Sequence, residues 1–503
     1  MVDETEQFTR PRVVAGRDDE PEAPEGPGQT IAGTDPLETQ AAHLFADRMA
    51  DQFKYNNTMG EWFVWTGMRW QVDDRQRAKF EMLQMVERMR RADAQNRRPL
   101  GKASFTNAAL SLSQTMPDIS RTAEDFDANH MLVGTPTGFL DLETGEHHRP
   151  DPNLMISKCL GVAPSDEADC PIWLQFLEEA TANHEGLMDY LQVFFGYSLT
   201  GSMKEEIMTF VYGPGGNGKG VMLKTIGSIF GDFYTSTPAS TFMETNRNEH
   251  PTELADLQGR RLVSASETDE DAKWNLSRIK EITGNENPIK ARYMRQNFFE
   301  FWPVCKLMII GNNMPEIGNV DPAIARRLRL IEMTNLPKRV DNDLKEKLMP
   351  ERPAILRWML KGLETYQKEG LIAPDCVTKA SSAYLAAEDV VGQFLQDCCE
   401  PWNGGILLRK DIGFALQLYM KDNGIRKKVA QTKVYKRLVE PPYDLIEGDT
   451  YRKARCYKGI RLNDYGWSLI LRQIKRDGGD MPEMDGLTGV KEESYYNDLG
   501  KFE

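Results

Sequence analysis

A glycine-rich stretch between two apolar runs constrains this chain more than any other feature. Residues 213–220 read Gly-Pro-Gly-Gly-Asn-Gly-Lys-Gly, the run 207–212 has the composition of a strand, and 221–230 has helical spacing. In that setting the backbone N–H groups of the turn point at phosphate, and the helix N-terminus adds positive potential. The lysine then reaches the β and γ phosphates. We therefore predict that ATP is bound by Gly213, Pro214, Gly215, Gly216, Asn217, Gly218, Lys219 and Gly220.

One position departs from the phosphate-loop pattern. The residue after the lysine is normally Ser or Thr, whose hydroxyl contacts Mg²⁺, but here it is Gly220. Thr225 lies too far along the helix to be an obvious substitute. With 40 glycines in 503 residues, a bare Gly-x4-Gly-Lys arises by chance in roughly one chain in five. A plain glycine turn therefore stays open as an alternative, and so does the way Mg²⁺ is held.

Composition and charge exclude some classes of protein. No apolar stretch reaches eighteen residues and the N-terminus is acidic, so we expect a cytoplasmic protein without a membrane partner. The net charge of −14 is unevenly spread, because residues 1–40 hold ten acids and three bases. Residues 401–463 hold fourteen Lys/Arg and six Asp/Glu. This local basic field can dock on a polyanion although the whole chain is acidic.

The pattern along the chain predicts six segments. Residues 1–38 are rich in Pro, Gly and acids and predict a disordered arm, with order beginning near Ala41. Residues 41–200 predict a mixed α+β domain, and 201–340 alternate strands and helices as in a parallel α/β sheet. A helical stretch follows at 341–400. Residues 401–465 give helix, helix and strands, the order of a winged helix, and 477–503 form a polar, flexible tail.

Four residues downstream of the loop are candidates for catalysis. Glu267 ends the predicted strand 261–266, where an acid supports Mg²⁺ and polarises water, and Asn312 follows the strand 306–311, where an amide senses the γ-phosphate. Arg326 and Arg327 offer guanidinium groups that reach a nucleotide on a neighbouring subunit. The alternatives are an acidic solvated turn, an ordinary Asn turn and a basic helix face.

Two basic segments are candidates for contacts with DNA phosphates, which are independent of base sequence and weaken with salt. The first is a predicted hairpin that carries Lys290, Arg292 and Arg295. The second lies in the predicted winged helix and contains Lys427, Lys428, Lys433, Lys436 and Arg437. The alternatives are a solvated face for the hairpin and, for the second segment, a basic domain that docks acidic partners.

The order and spacing of these elements resemble the superfamily 3 helicases, in the branch of phage and plasmid primase-helicases and poxvirus-type proteins. The shared features are the phosphate loop, the strand-end acid, the segment Ile282-Thr-Gly284…Lys290-Ala-Arg292, the strand ending in Asn, and the arginine pair. Upstream, 138–145, 171–177 and 196–201 look like the domain that precedes the motor in that family, and 358–366 resembles a helix that follows it. The resemblance covers about residues 50–400.

The resemblance implies an AAA+-like P-loop ATPase core with a parallel sheet, a helicase-associated α+β domain before it, and helices and a winged helix after it. It also implies ATP with Mg²⁺, a hexameric ring, and single-stranded DNA in the channel. Lys219 would hold the β/γ phosphates, Glu267 the Mg²⁺ shell, Asn312 the γ-phosphate, and Arg326 or Arg327 the neighbour's site. The C-terminal domain would bind duplex origin DNA.

The expected function is therefore an ATP-dependent ring DNA helicase in phage or mobile-element replication, in a bacterial host cell if phage-encoded. A replication initiator or scaffold that binds nucleotide with little hydrolysis is the alternative that Gly220 favours, and a DNA-packaging motor is a third. Only about forty residues of predicted disorder precede the α+β domain. We expect no primer synthesis by this chain alone, and a separate primase as a possible partner.

Overall fold

The protein is described by a computed structural model, over residues 36–478 apart from ten short gaps. The gaps are 183, 245–250, 267–271, 295–296, 319, 338–339, 426–428, 441–442, 446–448 and 452–453. The predicted arm up to residue 35 and the tail from 479 lie outside the described residues. The chain divides into two compact units, Met1–Val64 with Val72–Ala123, and Trp65–Gln71 with Glu124–Glu503.

The first unit combines helices with a small sheet. Its elements, with one short strand at the unit boundary, are α1 (Leu37–Met49), β1 (Phe53–Asn56), β2 (Glu61–Trp65), β3 (Trp70–Val72), α2 (Arg77–Ala92), α3 (Arg97–Leu100), α4 (Ala103–Ser113) and β4 (Ser120–Arg121). Helix α1 begins at Leu37, earlier than the predicted start near Ala41, because it buries Ala42 and Phe45 against the core of this unit. Strand β1 pairs antiparallel with β2 and parallel with β4.

The second unit begins with a small antiparallel meander and two helices. They are β5 (Leu132–Thr135), β6 (Gly138–Asp141), β7 (His147–His148), α5 (Pro171–Ala180) and α6 (Leu187–Ser198). Trp173 and Phe194 are fully buried and join α5 and α6 to the main core.

A five-stranded parallel sheet forms the centre of this unit and confirms the predicted mixed α/β class. It comes from β8 (Met208–Tyr212), α7 (Lys219–Phe230), β9 (Tyr234–Pro238), α8 (Pro251–Ala255), β10 (Leu262–Ser266), α9 (Leu276–Thr283), β11 (Ile289–Ala291), β12 (Phe299–Phe301), β13 (Lys306–Gly311), α10 (Pro322–Arg327) and β14 (Leu328–Glu332). The strand order is β14-β8-β13-β10-β9, while β11 and β12 form a separate hairpin. All six residues of β13 are buried, as expected for a central parallel strand.

The C-terminal part is helical and then carries a second sheet. Its elements are α11 (Leu344–Leu348), α12 (Arg352–Glu369), α13 (Asp375–Glu388), α14 (Val390–Cys398), β15 (Cys399–Leu408), α15 (Arg409–Asp422), α16 (Gln431–Val439), β16 (Asp449–Tyr451), β17 (Ala454–Leu462) and α17 (Asp464–Arg476). The antiparallel sheet has the order β15-β17-β16. Strand β15 precedes the two helices of this part, whereas the sequence predicts helix, helix and strands for 401–465. Helix α17 was not predicted. Within the described residues, no helix combines the length and apolarity that a membrane crossing needs.

Candidate functional site

The loop between β8 and α7 has a backbone that only glycine fits at two positions. Gly218 has a φ of +88°, and a Cβ built on it would lie 2.6 Å from the ring of Phe176. A Cβ on Gly213 would lie 2.0 Å from the carbonyl oxygen of Met333, just after β14. The loop is therefore packed between α5 and the end of β14. Gly218, the residue before α7, is the one held against α5.

The side chain of Lys219 lies inside this loop. Its Nζ donates to the carbonyl oxygens of Gly213 (2.6 Å) and Pro214 (2.9 Å) and to Oδ1 of Asn217 (3.0 Å). Asn217 is buried and its Nδ2 donates to the carbonyl of Met333. Burial lowers the pKa of Lys219 below its ordinary value. A phosphate oxygen at the loop would replace one or more of these three neutral acceptors.

Three candidate positions follow three neighbouring strands at one edge of the sheet. Tyr212 is paired with Gly311, and the N–H of Gly213 donates to the Gly311 carbonyl at 3.3 Å. Ser266, the last residue of β10, is paired with Ile310. Asn312 therefore follows the strand beside the loop. The predicted acid Glu267 follows Ser266 in sequence but lies outside the described residues.

A cavity of about 920 Å³ opens at this edge. The loop, Asn312 and Ser266 line it together with residues of α5 and described residues between 335 and 345. Part of this lining is apolar, with Ile172, Phe176 and Leu344. The side-chain amide of Asn335 donates to the Glu179 carbonyl at 2.6 Å and so joins two parts of the lining. The volume lies within the range of roughly 300–1,000 Å³ typical of cofactor pockets.

The surroundings of Gly220 decide which side-chain oxygens could hold Mg²⁺ at the loop. Gly220 lines the cavity, and a Cβ built on it would meet nothing within 4 Å. Thr225 is fully buried and does not line the cavity. Within the described part of the chain, no group of three or more His, Cys, Asp or Glu side chains converges as in a metal site. The loop thus fits phosphate. The described side-chain oxygens that line the cavity include those of Ser266 and Asn312 and the carboxylates of Glu179 and Asp341.

The two candidate arginines lie away from the cavity and differ from each other. Both follow Asp321, which caps α10, and both donate to Oε2 of Glu206, Arg326 at 3.0 Å and Arg327 at 2.6 Å. The Arg327 side chain is 3% exposed and also donates to the hydroxyl of Thr283 at 3.1 Å, whereas that of Arg326 is 60% exposed. The arginines lie just before β14, at the amino-terminal ends of the strands. The glycine loop follows the carboxyl end of β8, which pairs in parallel with β14. The two positions are therefore separated by the length of a five-residue strand, roughly 16 Å.

The β11–β12 hairpin presents cations and an aromatic ring together. Lys290 Nζ lies 5.3 Å and the Arg292 guanidinium 5.0 Å from the centre of the Phe298 ring, which is 51% exposed. Glu300 is the register partner of Lys290. Arg295 lies outside the described residues. Phe298 was missed by the sequence reasoning, although an aromatic residue beside a basic run is the available signal.

Of the five basic residues predicted to bind DNA in the C-terminal part, the structure describes three. Lys427 and Lys428 lie outside the described residues. The other three lie on α16, where Lys433 donates to the carbonyl oxygen of Gly318 and Arg437 lies 3.8 Å from Asp389. The Lys436 side chain is 75% exposed, with Nζ 3.7 Å from Glu440. All three described cations thus contact the protein itself, Lys436 through an exposed pair four residues along the chain.

Comparison with known proteins gives two family matches. Residues 42–182 match the family described as D5 N terminal like, and residues 211–327 match a family of unknown function. The second match contains Lys219, Asn312 and Arg326. Neither match reaches the C-terminal sheet and its helices.

Several viral proteins are similar in sequence. A putative helicase of Acanthamoeba polyphaga mimivirus is 26% identical over 324 residues, which is 59% of this chain and 33% of that protein. A putative helicase of Frog virus 3 is 25% identical over 236 residues, 42% of this chain and 23% of the relative. A putative primase of African swine fever virus is 25% identical over 233 residues, 41% of this chain and 22% of the relative. The matched regions thus span a third or less of these relatives' lengths.

Among solved structures, the apo structure of the NrS-1 C-terminal region is similar at 10% sequence identity. It covers 84% of this chain and 99% of that one, with a TM-score of 0.49.

Proposed function

Because this chain is a D5-like member of the superfamily 3 helicase-primases, whose viral relatives carry helicase and primase names, we propose that it is an ATP-driven DNA helicase of phage or mobile-element replication. The observation that supports this most directly is the shared cavity of the glycine loop and Asn312 at the carboxyl edge of a parallel sheet. Open α/β sheets bind ligands at this edge.

Within the AAA+-like P-loop core that we propose, each side chain has one task. Lys219 exchanges its loop carbonyls for the β and γ phosphates, and Asn312 donates its amide to the γ-phosphate. Glu267 polarises the attacking water. Mg²⁺, when bound, would neutralise phosphate charge. Its oxygen ligands from the protein would be Ser266 and Glu267, which are adjacent in sequence at the end of β10. The apolar wall of Ile172, Phe176 and Leu344 takes the adenine base.

A ring of subunits, a hexamer in our proposal, completes the site. Arg326 is exposed and lies on the edge of the sheet opposite the loop, so it serves a neighbouring subunit's nucleotide rather than its own. Arg327 is held inside the fold by Glu206 and Thr283 and therefore positions α10.

Single-stranded DNA is the proposed track. Lys290 and Arg292 contact its phosphates while Phe298 stacks on a base, a combination that tolerates any sequence. The C-terminal part, a winged helix in our proposal, binds duplex DNA at an origin, and a separate primase is a possible partner.

Mixing two inactive variants tests the nucleotide site and the ring together. Lys219→Ala removes the phosphate contact and Arg326→Ala removes the group that acts on the neighbour, so each variant alone should lose DNA-stimulated ATP hydrolysis. In a 1:1 mixture, about a quarter of the interfaces pair an intact loop with an intact arginine, if subunits mix at random. Recovery of about that fraction of the activity supports the proposal. If Lys219→Ala hydrolyses ATP at the wild-type rate, the motor assignment is wrong.

A second candidate is an initiator that binds nucleotide with little turnover. Two observations favour it: the Lys219 ammonium already has three oxygen acceptors, and Gly220 offers no hydroxyl. Titration with fluorescent ATP separates the two functions. An initiator binds ATP in a Lys219-dependent manner, and single-stranded DNA does not stimulate its hydrolysis.

A further inference from the structure

Residues 314–318, called here the linking loop, join two parts of the proposed machinery. They begin after Asn312 and Asn313 and end shortly before Asp321, the cap of the helix that carries Arg326. The backbone of Glu316 donates to the Ala272 carbonyl at 2.7 Å and accepts from the N–H of Trp274 at 3.0 Å. Residues 272–274 directly follow the acidic segment that starts at Glu267. The linking loop thus adjoins Asn312 and the cap of α10 in sequence, and it is hydrogen-bonded to residues 272 and 274.

Helix α13 holds the linking loop from a second side. The hydroxyl of Tyr384 donates to the Pro315 carbonyl, and Oε2 of Glu388 accepts from the N–H of Ile317 at 2.6 Å. The indole of Trp274 donates to the same Tyr384 hydroxyl at 3.0 Å. Ile317 is buried in the core beneath the sheet. The loop is therefore a fixed part of the fold over most of its length.

Helix α16 supplies the third contact. Lys433 donates to the carbonyl oxygen of Gly318, the last residue of the linking loop. One turn further along α16, Arg437 lies 3.8 Å from the carboxylate of Asp389. Asp389 is the residue after Glu388 of α13, and its carboxylate caps α14. The helix that sequence reasoning assigned to duplex DNA therefore presents two of its cations to the linking loop and its support.

We propose that Lys433 is a positioning residue through which the C-terminal part sets the linking loop, and with it Asn312 and Arg326. This inference rests on the function proposed above. A duplex bound through Lys433 and Arg437 has to displace both intramolecular contacts. Binding of duplex DNA to α16 is thereby coupled to the geometry of the nucleotide site.

Amide hydrogen exchange of the full-length chain tests the contact without relying on catalysis. Lys433→Ala should speed exchange at Glu316 and Ile317 by about tenfold, since the loop loses one of its anchors. Lys433→Arg keeps the cation and should restore protection. Lys421→Ala, an exposed lysine on α15, serves as the control and should leave the loop unchanged. Unchanged exchange in Lys433→Ala, or equal acceleration in the control, overturns the inference.

ATP hydrolysis gives the second readout. Lys433→Ala should lower kcat by about fivefold with KM for ATP unchanged, because the phosphate loop itself is untouched. Saturating duplex DNA should accelerate loop exchange in the wild type and add nothing in Lys433→Ala. Duplex that binds without changing loop exchange contradicts the coupling. If the wild type hydrolyses no ATP, the proposed function fails, while the exchange data still decide the role of Lys433.

Discussion

The Nε of Arg327 donates a 3.1 Å hydrogen bond to the hydroxyl of Thr283, and both side chains are buried. Thr283 in turn donates to the Ile279 carbonyl at 2.7 Å, within α9. The carboxylate of Glu206, in the turn before β8, accepts from Arg327 at 2.6 Å. One guanidinium therefore joins the end of α10 to the end of α9 and to the turn that precedes β8. Its neighbour Arg326 shares only the carboxylate.

Replacement of the two arginines should have different effects on the free energy of unfolding. Arg327→Ala leaves Glu206 and Thr283 without their buried donor and should lower the free energy of unfolding by about 3 kcal/mol. Arg326→Ala removes an exposed ion pair and should change it by less than about 0.5 kcal/mol. Urea denaturation of both variants measures this. A similar loss in both would contradict the distinct roles assigned to them.

The glycines of the phosphate loop should respond oppositely to substitution. Gly220→Ser places a hydroxyl in open space beside the cavity, so the protein should fold normally and reach half-maximal ATP hydrolysis at a lower Mg²⁺ concentration. Gly218→Ala, by contrast, meets the Phe176 ring at a positive φ and should abolish nucleotide binding. Mg²⁺ titrations of ATP hydrolysis and thermal melts provide the measurements.

Gly220→Ala is the matched control, because it adds the same Cβ without the hydroxyl. It should gain helix stability of about 0.5–1 kcal/mol like any glycine replaced inside a helix, with the Mg²⁺ requirement unchanged. If Gly220→Ala and Gly220→Ser shift the Mg²⁺ requirement equally, the hydroxyl is not the cause.

The hairpin should show two separable contributions to DNA binding. Phe298→Ala removes a stacking surface worth about 1–3 kcal/mol, so affinity for single-stranded DNA should fall at least about fivefold at every salt concentration. Lys290→Ala removes a phosphate contact, so the slope of log affinity against log salt should decrease by about 0.7. Fluorescence anisotropy over a salt series distinguishes the two.

Glu300 provides the control for the charge part of that prediction. It is the register partner of Lys290, so Glu300→Gln removes a carboxylate from the DNA-facing surface and should tighten binding. Unchanged binding of Glu300→Gln would show that this strand faces away from the DNA.

The sequence predicts the centre of the site better than its surroundings. The strands before Gly213, Glu267 and Asn312 are mostly apolar runs that lead into a glycine or a polar residue, and parallel pairing brings such ends to one edge. The difference between Arg326 and Arg327 was not predictable, since it depends on Thr283, which only Arg327 contacts and which lies 44 residues away in sequence. Local pattern cannot reveal which of two adjacent cations turns inward.

The C-terminal helices show the same limit. The charges of α16 are visible in the sequence, but the contact of Lys433 with Gly318 depends on how the C-terminal part packs on the sheet. Helix α17 has a recognisable start, with Asn463 accepting from the N–H of Gly466, followed by apolar residues at helical spacing. Helix α17 directly precedes the polar tail and was not predicted from the sequence.

A buried carboxyl in the C-terminal part should make stability depend on pH. Asp411 on α15 is 1% exposed, and its Oδ1 has no hydrogen-bond partner among the described atoms. Burial raises the pKa of Asp411 to about 8, against an ordinary 3.8. Between these values the folded state holds a proton that the unfolded state has released, so the free energy of unfolding falls as pH rises from about 4 to about 8.

Asp411→Asn should remove this dependence, because an amide keeps the shape of the carboxyl and cannot ionise. At pH 9 the variant should be more stable than the wild type by several kcal/mol, the cost of a buried and unpaired charge, and near pH 4 the two should agree. Urea denaturation across this range measures the difference, with the exposed Asp375→Asn as control. A wild type whose stability is level from pH 5 to 8, or a variant with the wild-type slope, would show that Asp411 is ionised in the folded protein at little cost.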